Sequence, residues 1–317
     1  MKTFSLGQKW VSRVTSSDQP DVPVMGASKI PLPDAAELKA LLDDLSRSET
    51  VREMSRRKWL KPVLASARDK VSERGVALLE FLTADRAAMP SFAMFKGRRP
   101  SFRCDLLDEL ATFAWITHVT DVARQSKATK FKSSSITDEF IRSIAKLSTR
   151  SHGPKVALDA VREIGICVVV ESGLPGMSVD GASFHTKQTG PVLALTLRHD
   201  RLDNFWFTLF HELGHIHLHL SEPTEDVFID SEEDENDEME VEAEANAFSK
   251  DSLVPRDTWL RSDARRLGNE SSVVQLARQL GIHPAIVAGR IRYERREFRI
   301  FPDLIGIGEV REAVLSS

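Results

Sequence analysis

Two histidines four residues apart, with a glutamate beside the first, stand at His211-Glu212-Leu213-Gly214-His215. On a helix, positions i and i+4 share a face one turn apart, so both imidazoles can reach one metal ion. Glu212 is turned away from that face, where its carboxylate can hold a water without ligating the metal. Zinc suits such a set, because it takes nitrogen and oxygen ligands tetrahedrally and has no redox chemistry. The chemistry expected is hydrolysis: the metal lowers the pKa of a water towards neutrality, and Glu212 takes its proton.

A third ligand must come from another element. Thirteen Asp or Glu lie between Ser221 and Glu244, and towards the end of that stretch the pattern turns helical, with Val241, Ala245 and Phe248 on one face. Glu242 is the choice on that helix; Glu238 and Glu244 remain rivals on spacing alone. His219 extends the row of His211 and His215, but successive turns are about 5.4 Å apart, and three ligands on one straight helix do not converge easily on one ion. His217 and His219 are therefore read as packing residues around the site. Hydrolysis also needs a donor for the developing oxyanion, and His283, Arg290, Tyr293 and His185 are the candidates.

The elements that must position these groups are legible in part. Phe205, Leu209, Leu213 and Ile216 recur at helical spacing around the motif, and Phe210 and Leu218 widen the apolar surface. Three short strand candidates precede it: Ile166–Val170, Ala182–His185 after a turn at Asp180-Gly181, and Val192–Leu197 after a second turn at Thr189-Gly190. They predict a small, mostly antiparallel three-stranded sheet, which could offer an edge to an extended peptide. A helix spans Pro154–Ile164. Beyond the acidic loop (221–240), Val273–Ile291 reads as two short helices around Gly281, a helix-turn-helix-like pair within 271–293.

The first half has a different texture. Residues 1–33 are rich in Gly, Ser and Pro and predict a flexible arm. From Asp34 to Arg150 the periodicity is helical: a helix through Leu38–Leu45, a second over Val51–Leu60, a third from Pro62, a long one over Asp105–Gln125 and another near Ile136–Leu147. Between them, Met89–Arg103 interleaves phenylalanines with basic residues, read as a surface loop anchored to the helical core rather than a nucleic-acid grip. The fold class expected is α+β: an all-helical domain (34–150), then a mainly helical metallopeptidase-like domain (151–317) carrying the small sheet.

Composition narrows the setting. The 317 residues are 41% hydrophobic, sufficient for packed cores. No apolar run approaches a bilayer span and no signal-peptide core stands at the N-terminus. Cys104 and Cys167 lack a CxxC partner and fit a reduced, cytoplasmic protein without disulfides. Residues 1–150 hold 26 Lys+Arg against 18 Asp+Glu, and the remainder 17 against 29, so a half of net charge +8 adjoins one of −12. DNA binding through the basic half is conceivable and not favoured; it would be salt-sensitive.

His211-Glu-Leu-Gly-His215 followed by Glu242-Ala-Glu-Ala-Asn-Ala-Phe248 resembles the ImmA/IrrE family of zinc metallopeptidases. The resemblance covers about Ala157 to Tyr293, and more weakly Asp34 to Arg150. The stretches LTLRHDRLDNFWFTLFHELGH and LARQLGIHPAIVAGRIR look closest to the branch described as HigA-like antitoxins or transcriptional regulators. It implies one zinc ion held by His211, His215 and Glu242, with Glu212 as the base. The implied activity is site-specific cleavage of a partner repressor of the XRE type, in stress, phage-defence or toxin–antitoxin control. Members of that branch often begin with an XRE-type helix-turn-helix, for which residues 1–33 are too short. The competing reading is a non-proteolytic, antitoxin-like regulator that binds a cognate toxin around a structural or vestigial zinc.

Overall fold

In a computed structural model of the chain, residues 44–60, 70–83, 104–126, 130–220, 227–231 and 240–315 are described. The arm at 1–33, the Leu38–Leu42 part of the helix expected through Leu38–Leu45 and the loop Met89–Arg103 lie outside them, as does most of the acidic loop. The chain divides into two compact units. The first takes in residues up to His118 together with Leu174–Met177; the second comprises Val119–Gly173 and Ser178–Ser317.

The described secondary structure of the first unit is helical. α1 (Glu49–Arg56) begins at Ser48, whose hydroxyl accepts the Val51 N–H, the capping bond that favours serine at this position. Val51 and Met54 are its fully buried face. α2 spans Lys70–Thr83 and α3 spans Cys104–Gln125, whose apolar residues Ala111, Ala114, Trp115 and Ile116 are buried. Trp59 stacks on His118 with ring centroids 4.2 Å apart.

The second unit holds the sheet and the histidine motif. α4 (Asp138–Lys146), which answers to the helix expected near Ile136–Leu147, packs into its core through Ile141, Ile144 and Ala145, and α5 (Gly153–Glu163) follows. β1 (Cys167–Val170), β2 (Val179–Thr186) and β3 (Gly190–Leu195) are the three expected strands. A fourth, β4 (Val227–Ser231), rises from inside the acidic loop and completes a sheet of order β1-β3-β2-β4. β2 pairs antiparallel with both β3 and β4, and β1 pairs parallel with β3, so the fold is α+β with a mostly antiparallel sheet.

One local expectation is overturned. Asp180-Gly181 does not turn the chain; both residues lie within β2, where Gly181 pairs with Leu195. The glycine answers a steric demand, described below. The turn after β2 is where expected, closed by the Thr186 and Thr189 hydroxyls 2.6 Å apart, with Gly190 at a φ of +77° that favours a residue without Cβ.

α6 (Leu202–Leu218) carries the motif and runs through the centre of the core. Phe205, Trp206, Leu209, Phe210, Leu213 and Ile216 are all buried, so the helix is apolar nearly all round, as a core helix should be. Leu218 departs from this: it is 43% exposed, because the helix leaves the core in its last turn. α7 (Glu240–Leu253) lies against α6, followed by α8 (Arg256–Arg261), α9 (Asp263–Leu267), α10 (Glu270–Leu280), α11 (Pro284–Arg295) and α12 (Glu309–Leu315). α10 and α11, joined through Gly281 at φ +69°, are the expected helix pair; their apolar faces (Leu276, Ala277, Ile286, Val287) enter the same core.

Candidate metal centre

Three side chains from two helices meet. His211 and His215 of α6 place their Nε2 atoms 2.9 Å apart, and Glu242 of α7 reaches both, its Oε2 lying 3.3 Å from His211 Nε2 and its Oε1 3.4 Å from His215 Nε2. Among the described residues this is the one group of three that could hold a metal ion. A tetrahedral ion with bonds of about 2.0–2.1 Å needs ligand atoms roughly 3.3–3.4 Å apart; the two carboxylate contacts match that spacing, and the two imidazole nitrogens, at 2.9 Å, need to part by a few tenths of an ångström to admit zinc. The donor set, two neutral imidazoles and a carboxylate, is the kind that leaves one coordination position open.

The close packing of α6 on α7 is what lets Glu242 arrive. Gly214 faces α7: a Cβ there would lie 3.1 Å from Phe248 Cδ1 and 3.3 Å from Ala245 Cα. A glycine inside a helix costs up to about 1 kcal/mol relative to alanine, which the closer approach offsets. Ser249 of α7 donates to the Phe207 carbonyl at 3.0 Å, fixing the register of the two helices.

Electrostatics prepares the ligands. Burial pushes the His215 imidazole down to about 4, outweighing the opposing pull of Glu242, so it is neutral near pH 7. Burial alone would raise Glu242, but hydrogen bonds from His211 and His215, with their charges, outweigh it and hold the carboxyl well below its usual range. Neutral imidazole beside ionised carboxylate is the state in which these groups bind metal.

Glu212 points elsewhere. Fully buried, it turns its carboxylate to β2, where the Ser183 hydroxyl donates to Oε2 at 2.5 Å. A Cβ at Gly181 would stand 2.5 Å from Oε1 and 2.9 Å from Thr208 Cγ2, so the bare backbone there makes the cradle in which the carboxylate sits. Phe228 of β4 stacks on His215 with centroids 4.5 Å apart and planes 10° from parallel. On the other side Phe207 stacks between His211 (6.0 Å) and Tyr293 (6.3 Å).

The remaining candidates have varied places. Tyr293, half exposed on α11, ends that aromatic row, with Lys250 over its ring. Arg290 is engaged in structure: its guanidinium donates to the carbonyls of Lys250 (3.0 Å) and Val254 (2.9 Å) and lies over Trp259. His283 caps α11, its Nδ1 accepting the Ala285 N–H at 3.1 Å, and burial lowers its pKa against the opposing charge of Glu309. His185 sits on β2 beside Pro191, half-buried, two positions beyond Ser183. His219 packs on Phe228 with its Nε2 3.2 Å from the Val241 carbonyl, and His217 packs on Phe248. Of the rivals to Glu242, Glu244 stands 3.7 Å from His219 instead, and Glu238 is outside the described residues.

Ser183, Gly181 and Phe228 escape a reading by motif. The one signal for the first two is their spacing: a glycine and a serine two positions apart lie on one face of a strand, where neither contributes apolar packing.

No curated protein matches the chain. Residues 163–292 match the family described as Peptidase_M78, IrrE N-terminal-like domain. That span begins at the end of α5 and closes in α11, enclosing the sheet, both ligand-bearing helices and the helix pair, so the segment 163–292 belongs to the ImmA/IrrE family of metallopeptidases.

Proposed function

We propose that this protein is a zinc-dependent endopeptidase. The observation that carries the reading is the meeting of His211, His215 and Glu242 from two helices, beside a fully buried glutamate that takes no part in the triad. A purely structural zinc site would have no use for Glu212 in that position. Zinc bound there supplies Lewis-acid activation of a water and of the scissile carbonyl.

The chain's own residues do the rest. Glu212 accepts the proton of the attacking water and passes one to the leaving amine. Ser183 holds its Oε2 and the bare backbone of Gly181 makes room for its Oε1, so the carboxylate keeps one orientation. Phe228 and Phe207 wall the two histidines on either side and exclude bulk water from them. Tyr293 stands where the aromatic row meets solvent, and its hydroxyl is the donor we assign to the substrate carbonyl. Phe228 also brings β4 to the ligands, which makes that edge of the sheet the one on which an extended substrate would pair.

The substrate we propose is a small XRE-type repressor, cleaved at one site, in cytoplasmic control of stress, phage defence or a toxin–antitoxin pair. This rests on the resemblance of two sequence stretches to the HigA-like branch. The test is incubation with the product of the neighbouring gene, in parallel with Glu212→Gln. Cleavage by the native protein alone is expected, abolished by chelation and restored by zinc. Binding of the neighbour by both proteins without cleavage would instead establish the antitoxin-like reading.

A further inference from the structure

Ser183 has no part in the ligand set, yet its surroundings are those of a functional group. Its side chain and Glu212 are both fully buried, and they come from elements 29 positions apart in the chain. The hydroxyl lies 2.5 Å from Glu212 Oε2 and 3.1 Å from the Glu212 carbonyl. A hydroxyl has one proton to give, and the shorter contact, to the side-chain oxygen, receives it.

The platform beneath it is rigid. Ser183 pairs with Leu193 of β3 on one side and with Phe228 of β4 on the other, so its backbone is held from both directions. β2 itself is pressed against α6 at Gly181, where no Cβ intervenes. A serine is a poor choice for such a position on packing grounds, since its neighbours in the pairing are leucine and phenylalanine. Its hydroxyl is the reason for its presence.

We infer that Ser183 is a positioning residue: by engaging Oε2 it locks the plane of the Glu212 carboxylate beside the ligands. A neutral donor suits this task. A lysine in its place would hold the carboxylate as firmly and neutralise its charge, whereas a hydroxyl orients the group and leaves it able to take a proton. The inference rests on the peptidase reading, because it presupposes that Glu212 has work to do.

Acetohydroxamate tests it without knowledge of the substrate. This small chelator of zinc carries a hydroxyl proton that a correctly placed carboxylate takes up on binding. The full-length protein and its Ser183→Ala, Ser183→Thr and Glu212→Gln variants are loaded with zinc, and zinc affinity, melting temperature and acetohydroxamate affinity are measured for each. Ser183→Ala should bind zinc as the parent does, because Ser183 is not among the three residues that meet there. It should bind acetohydroxamate roughly 10- to 100-fold more weakly, the span for losing one hydrogen bond to a charged group. Ser183→Thr, which keeps the hydroxyl on a strand-compatible side chain, should recover most of that loss.

Equal acetohydroxamate affinity in the parent and Ser183→Ala, with weakening in Glu212→Gln, overturns the role of Ser183 and leaves the base in place. A parallel fall in zinc affinity and melting temperature with no recovery in Ser183→Thr assigns Ser183 to structure, and also overturns it. If Glu212→Gln itself changes nothing, the peptidase reading fails, and the inference with it. Should Ser183→Ala not fold, Ser183→Cys takes its place: a thiol is a weak donor of similar size, so weaker acetohydroxamate binding than in the parent and the threonine form, at unchanged zinc affinity, is then the expected result, and binding equal to the parent's overturns the role of Ser183.

Discussion

The place of Glu212 is set by what a glycine lacks. An alanine at 181 would put its Cβ 2.5 Å from Glu212 Oε1 and 2.9 Å from Thr208 Cγ2, with the strand unable to retreat because it pairs on both edges. Overpacking of this kind costs typically about 1–3 kcal/mol, against a gain of about 0.4–1 kcal/mol from stiffening the unfolded chain. Gly181→Ala should therefore lower the melting temperature and displace Glu212, abolishing cleavage while zinc still binds; thermal denaturation and metal analysis together check this. Arg290 makes a prediction of the opposite kind, since it stands among the residues a motif reading offers for catalysis but is committed to the end of α7. Its guanidinium meets two carbonyls, Glu294 and the face of Trp259 at once, a fork that lysine cannot reproduce. Arg290→Lys should destabilise the fold by about 1–3 kcal/mol, read from chemical denaturation. A variant as stable as the parent but unable to cleave would return Arg290 to the catalytic list.

Helices α6 and α7 decide whether the ligands meet at all. Gly214 allows the approach, and an alanine there would meet Phe248 and Ala245 at 3.1 to 3.4 Å, tight enough that the ring must shift by a few tenths of an ångström. Gly214→Ala should be tolerated, with zinc affinity reduced modestly. Gly214→Val adds two methyls to the same gap, pushes α7 outward and carries Glu242 away from His211 and His215. Competition against a chromophoric chelator should show zinc affinity falling by at least an order of magnitude; an unchanged affinity would mean that Glu242 does not depend on this packing. The same two helices show how far sequence reaches. The histidines are legible because i, i+4 spacing is a property of one helix, and Glu242 because its helix carries a recognisable apolar face. β4 was hidden: Val227–Ser231 is five residues inside an acidic run, and its strand character comes from pairing with β2 and not from local alternation. Asp180-Gly181 misled for a related reason, since glycine marks turns by local propensity and marks close backbone approach only through a tertiary partner, here Glu212.

At the scale of the whole molecule, the site is a liability to the metal-free fold, and pH exposes it. His215 is buried with its pKa lowered from 6.5 to about 4, so between those values the unfolded chain holds a proton that the folded protein does not. Stability then rises with pH across that window and is lost on acidification from 6.5 towards 4. Glu242 adds to the loss below it: its folded carboxyl is held under the usual 4.5, so its contribution is present above 4.5 and fades as the pH drops further. Both groups act in the same direction because each is fixed in its metal-binding state by burial or by its neighbours. The metal-free protein should therefore melt at a markedly lower temperature at pH 5 than at pH 7. His215→Gln, which is neutral throughout, should flatten that dependence over the upper part of the range, and a slope unchanged in the variant would show that His215 is not its source. Saturating zinc works on the same equilibrium from the other side: an ion bound only by the folded state at 1,000 times its dissociation constant stabilises by about 4 kcal/mol, and protons compete with it for His215. The rise in melting temperature on adding zinc should accordingly persist from pH 7 down through pH 5 and shrink as the pH nears 4, where the folded His215 begins to hold a proton that must leave before the ion can enter.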